Sequence, residues 1–216
     1  MIIVFNHQNR RSLCSATAGA AFDWESIALP GERFQVMQFP HLLLGVLALF
    51  LYVGVETIAL ATATGYAKAL ELPGDNYGFI PSIGMVVGYI CGATLIPKYL
   101  SQATAMKICA IIAIIGSALV ATMPAEISVY CIFFMALGCS LMWPALWPLA
   151  MADLGKFTKA GSSLLTMAIA GGAVMPWVRG VVQDATSFQT SYWICVPCFL
   201  FILYYGMIGY KIRTKK

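Results

Sequence analysis

Six apolar stretches, each near 20 residues long, dominate this chain of 216 residues. They cover about 42–66, 77–96, 106–123, 128–151, 163–182 and 191–210. An α-helix rises ~1.5 Å per residue, so about 20 apolar residues cross the roughly 30 Å hydrocarbon core of a bilayer. Inside lipid the backbone must satisfy its own hydrogen bonds, which leaves helices or closed barrels. Barrel strands would show alternating polarity over about ten residues, and that pattern is absent here. The spacing therefore predicts an all-α membrane protein with six transmembrane helices. Composition points the same way. Apolar residues make up 60% and charged residues 10%, against about 45–50% and 25% in soluble domains. A soluble globule of this size would lack the polar surface to cover itself. Soluble enzyme, disordered tail and nucleic-acid binder are all disfavoured.

The net charge of +4 matters less than where the charges lie. Arg33 precedes the first run, Lys98 and Lys107 join the second to the third, and Lys156 and Lys159 join the fourth to the fifth. Lys211, Arg213, Lys215 and Lys216 follow the sixth. The alternate loops carry Lys68, Glu71, Asp75, Glu126 and Asp184, with one basic residue among them. Lys and Arg in short loops mark the cytoplasmic side. Both termini are therefore expected in the cytoplasm, with an even number of spans.

Residues 1–37 differ from the rest and read as a poorly ordered cytoplasmic segment, a loop between domains or an arbitrary gene start. Arg10 and Arg11 before the small residues 13–21 faintly resemble an export signal, but the stretch is too polar for a good apolar region. Residues 38–213 form the six-helix unit and 214–216 a basic tail. The seven Cys are scattered. Cys195 and Cys198 have the spacing of a redox pair. They sit in an apolar run with no polar neighbour to stabilise a thiolate, and read as inert buried thiols. His7 and His41 lie far from any Cys pair, so no metal is expected. No cofactor motif is present, and no Ser/His/Asp or paired-carboxylate arrangement suggests an enzyme.

Two places inside the runs could carry chemistry. Glu56 is the one acid deep in a run, about 21 Å beyond Leu42 along a helix. Ionisable groups at that depth are costly and by default face a polar pathway. Tyr52 stands one turn before it on the same face, with Ala59 and Ala63 leaving space beyond. The alternative is a structural Glu bonded to a neighbouring helix. The second place is Trp143-Pro-Ala-Leu-Trp147-Pro148. The two Trp share a helix face, and the prolines free the carbonyls of Ser140 and Pro144. Flat aromatic faces beside open polar atoms suit sugar rings. The alternative is a kinked helix with Trp at the lipid interface. Gly84, Gly88 and Gly92 make one bare helix face for close packing, and Gly171-Gly172 with Pro176 read similarly. Arg179 is expected to snorkel from the outer end of the fifth run, with an internal ion pair the lesser option.

Four stretches together resemble one family. They are QFPHLLLGVLALFLYVGVE (38–56), IPKYLSQATAMK (96–107), LMWPALWPLAMADLGKFTKAGSSLL (141–165) and IAGGAVMP (169–176). They are similar to the fucose permease and glucose/galactose transporter group of the major facilitator superfamily. The likeness covers the C-terminal half, the last six of twelve helices. It implies half of a major facilitator fold and proton-coupled hexose import across the plasma membrane, the inner membrane of a bacterium. It further implies that Tyr52, Glu56, Trp143 and Trp147 face the central cavity, and that Lys98, Lys156 and Lys159 sit in cytoplasmic loops that latch the closed state. Cys139, the fifth residue expected to contact the sugar, stands where the family usually has an Asn that could bond sugar hydroxyls in two directions; a thiol bonds only weakly. Leu60-Ala61 replaces a small-acidic pair. The family's proton-titrating carboxyls lie chiefly in the other half. The expected partners are thus a sugar, a proton, the bilayer, and an N-terminal transporter half or a second copy. The alternatives are an inactive remnant of a transporter, or a six-helix protein acting alone as a channel, scaffold or intramembrane enzyme.

Overall fold

The computed structural model describes residues 37–73, 76–95 and 101–212. The features read above at Arg10, Arg11, Cys14, Arg33, Asp75, Lys98 and the basic tail from Arg213 lie outside them. Eight α-helices form six membrane spans among the described residues. These are α1 (Pro40–Ala69), α2 (Phe79–Leu95), α3 (Gln102–Thr122), α4 (Ala125–Cys139), α5 (Met142–Met151), α6 (Thr158–Ala168), α7 (Gly171–Ala185) and α8 (Cys195–Met207). Short 3-10 turns precede α2, α6 and α8.

α1 opens with Pro40 in its first turn, where the missing N–H costs nothing and the fixed φ is already helical. It is the hub of the bundle and packs on α4, α5, α6, α7 and α8. Tyr52, Ile58 and Tyr66 along it are fully buried.

The fourth and fifth apolar runs are each broken once. The fourth splits at Ser140-Leu141, so that Pro144 falls in the first turn of α5. A proline is tolerated there, whereas inside one continuous helix it would clash with the carbonyl four residues back. The fifth splits at Ile169-Ala170, just before the two glycines. Gly171 is pressed against α1: a Cβ at this position would overlap the Phe50 carbonyl oxygen. Likewise Gly88 and Gly92 of α2 meet Ser140 and Leu141, which puts the glycine stripe against the break at the end of α4.

Contacts identify the two ends of the bundle. At one end Phe39 meets Phe157 with ring centroids 5.8 Å apart, His41 bonds the Ala152 oxygen at 2.9 Å, and Gly206 of α8 packs on Met106 and Lys107 of α3. At the other, the Gln189 amide donates to the carbonyls of Met123 (2.6 Å) and Val120 (3.2 Å), closing the end of α3. Tyr66 there stacks on Phe188 and bonds Ser128. Large apolar side chains remain on the outside of the bundle, notably Phe79, Ile83, Val86 and Ile90 on α2. In lipid this costs nothing, because acyl tails are as apolar as the side chains themselves.

Candidate functional site

The break between α4 and α5 builds the site. Where the helix stops, the Cys139 carbonyl is left beside α1. The Tyr52 hydroxyl donates to Glu56 Oε1 at 2.7 Å and lies 3.2 Å from the Cys139 oxygen, a second acceptor for the same proton. The Tyr52 ring is fully buried, so its hydroxyl is held while the Glu56 carboxyl, only half-buried, stays open. Trp143 and Trp147, one turn apart on α5, stack with centroids 5.7 Å apart and planes 27° apart. Trp143 also leans on Tyr52 at 6.2 Å. Both Trp are half-buried. A carboxyl that accepts hydrogen bonds thus stands beside a two-ring aromatic wall, a combination able to hold a molecule with hydroxyl edges and an apolar face.

Of the five residues singled out in the sequence, three have open surface: Glu56, Trp143 and Trp147. Tyr52 is fully buried and joins them through the hydrogen bond that its hydroxyl donates to Glu56. Cys139 differs. Its side chain is fully buried, and what it brings to the cluster is its backbone oxygen.

Tyr89 was missed in the sequence. It is 46% exposed on α2 and within electrostatic reach of Glu56, Tyr52 and Cys139. Its signal was the stripe Gly84, Gly88, Gly92: that face meets α4, so the residue after Gly88 stands at the level of Ser140, beside the cluster.

Arg179 overturns an expectation. It does not snorkel. Its residue is 4% exposed, and its guanidinium lies 4.4 Å from the ring centroids of both Phe188 and Tyr192. One nitrogen approaches the Phe188 oxygen at 3.4 Å, and Nε has no partner. Aromatic faces can hold a desolvated cation without an acid. Cys195 and Cys198 are buried, unpaired thiols. Among the described residues no cluster of His, Cys, Asp and Glu could hold a metal.

No family model matches the chain. Curated relatives do. It is 28% identical over 180 residues to a glucose/galactose transporter of Brucella abortus, covering 81% of this chain and 43% of that protein. It is 30% identical over 176 residues to the L-fucose-proton symporter of Escherichia coli, covering 79% and 40%. Two crystal structures resemble its fold. One is a major facilitator superfamily transporter in the outward conformation, with a TM-score of 0.72 and 27% identity over 82% of this chain and 43% of that one. The other is a variant form of the E. coli fucose:proton symporter, with a TM-score of 0.77 and 25% identity over 88% and 46%. The chain spans about half the length of the curated relatives it matches. These relatives are transporters, not enzymes.

Proposed function

We propose, from the premise that this chain carries half of a major facilitator superfamily fold and resembles sugar transporters in sequence, that it works in sugar transport as the C-terminal half of a hexose carrier. The observation that carries the reading is the Tyr52–Glu56 pair beside the stacked Trp143 and Trp147. The Trp faces would take the C–H face of a pyranose, and the Glu56 carboxylate would accept hydrogen bonds from its hydroxyls. Tyr52 would hold that carboxylate in place, itself steadied by the Cys139 carbonyl. Transporter sites of this kind lie between two repeats. The other wall would come from an N-terminal half or from a second copy of this chain. Proton coupling fits the fucose relative, with the titrating groups on the other half. The same reading places the chain in a bacterial inner membrane, with the end that bears Lys107, Lys156, Lys159 and Lys211 in the cytoplasm.

The test is uptake of labelled glucose, galactose and fucose into membrane vesicles, with and without a co-expressed N-terminal half, under an imposed proton gradient. Uptake in the paired vesicles, lost when the gradient is collapsed, is the expected result. An absence of uptake in both preparations overturns the proposal.

A further inference from the structure

Tyr89 places a phenol at mid-membrane depth. It lies ten residues past Phe79 on α2, ~15 Å along the helix, about half of the roughly 30 Å hydrocarbon core. At about 100° per residue, Phe79, Ile83, Val86 and Ile90 form one exposed apolar stripe. Gly84, Gly88 and Gly92 form the opposite stripe, seated on α4 and the break after it. Tyr89 falls on neither. It stands roughly a quarter-turn from each, on the flank within electrostatic reach of Glu56 and Cys139. The residue is 46% exposed, and among the described residues its hydroxyl has no hydrogen-bond partner. A hydroxyl left unpaired in hydrocarbon is costly, so this flank of α2 belongs to a polar space on the Glu56 side of the helix.

The chemistry of the site calls for such a group. An ionised carboxylate only accepts hydrogen bonds, whereas each sugar hydroxyl both donates and accepts. A hydroxyl that donates to Glu56 can still accept a bond at its own oxygen. The other hydroxyls near Glu56 are spent. That of Tyr52 donates to Glu56 Oε1, with the Cys139 oxygen as second acceptor, and that of Ser140 donates to the Leu137 oxygen at 2.8 Å. Tyr89 keeps its donor, and brings it from a different helix.

We propose that Tyr89 contacts the substrate: its phenol donates to the oxygen of the sugar hydroxyl that itself donates to Glu56. A hydroxyl held from both sides makes the site select sugars that bear it over their deoxy analogues. This rests on the sugar-transport reading above and adds to it a contact residue and a basis for selectivity.

The experiment is equilibrium binding of labelled glucose, galactose and fucose to vesicles that carry the full chain with a co-expressed N-terminal half. Monodeoxy analogues of whichever sugar binds serve as competitors. Tyr89→Phe keeps the ring and removes the donor. It should insert as the wild type does and bind the parent sugar about three- to tenfold more weakly, the scale of one hydrogen bond. The wild type should discriminate against one analogue by at least that factor. Tyr89→Phe should lose about that factor of the discrimination, because both changes remove the same bond, and should treat the other analogues as the wild type does. A variant that only disturbed packing would weaken the parent and every analogue alike. That uniform loss, or a parent affinity equal to wild type, overturns this proposal and leaves the transport reading standing. Binding of none of the three sugars by the wild type overturns both.

Discussion

The hydroxyl of Tyr52 meets the carboxyl of Glu56 at 2.7 Å across a single turn of α1, with the Cys139 carbonyl as its second acceptor. One buried phenol therefore ties the open acid to the helix break that carries the two tryptophans. Replacing Tyr52 by Phe keeps the ring and leaves both acceptors short of a donor. A group so stranded costs about 1–3 kcal/mol. We expect Tyr52→Phe to lower the detergent melting temperature and to weaken sugar binding; a variant equal to wild type in both would show the bond to be idle.

Glu56→Gln keeps the shape of the side chain and removes its charge. Hydrogen bonds to charged groups contribute about 1.5–3 kcal/mol, so binding by the assembled transporter should fall roughly ten- to a hundredfold. Membrane insertion, read by fractionation, should not change. Uptake at the wild-type level would make Glu56 a structural residue.

Trp143→Ala takes away the ring that touches both Tyr52 and Trp147. By analogy with bases stacked on aromatic side chains, sugar affinity should drop by about 1–3 kcal/mol. Trp147→Ala should act in the same direction. The check is equilibrium binding of labelled sugar to vesicles. Unchanged affinity in both variants would assign the pair to packing alone.

Arg179 separates charge from volume. Arg179→Met keeps most of the volume between Phe188 and Tyr192 and removes a largely desolvated cation held between two rings. Replacing a buried charge by a packed apolar group is often neutral or stabilising. We expect Arg179→Met to melt at or above the wild type, and Arg179→Ala, which opens a cavity, to melt lower by an amount corresponding to about 2 kcal/mol or more. Equal melting of the two variants would mean that the charge, and not the volume, holds this corner together.

Gly171 tests the α1–α7 contact. A Cβ at this position would overlap the Phe50 carbonyl oxygen, and overpacking costs about 1–3 kcal/mol or more where nothing can yield. Gly171→Val should lower the melting temperature well below that of Gly180→Val, since Gly180 has nothing within 4 Å of an added Cβ. Similar melting of the two would show that α7 moves aside freely.

The six spans and the polar cluster at residues 52–56 were legible in the sequence because both depend on local rules. Hydrocarbon thickness sets the length of an apolar run, and an acid one turn from a phenol shares its face whatever the fold. The likeness to sugar transporters was legible for a similar reason, since its motifs are contiguous. Other features required the neighbours. Pro144 announced a disturbed helix, but only packing decided that the break falls at Ser140-Leu141 and hands the Cys139 carbonyl to Tyr52. Cys139 was taken for a cavity-facing side chain, yet whether a residue turns inward depends on the helix across from it. Tyr89 was passed over because its nearness to Glu56 is set by how deeply the α2 glycines settle on α4. Arg179 was expected in the lipid headgroups, because reach along one helix can be read from sequence and the two rings contributed by a distant turn cannot. Sequence alone determined what must lie in the membrane, since that follows from the solvent. The tertiary structure decided which polar atoms meet there, since a hydrogen bond or a ring contact needs two helices placed to within about an ångström.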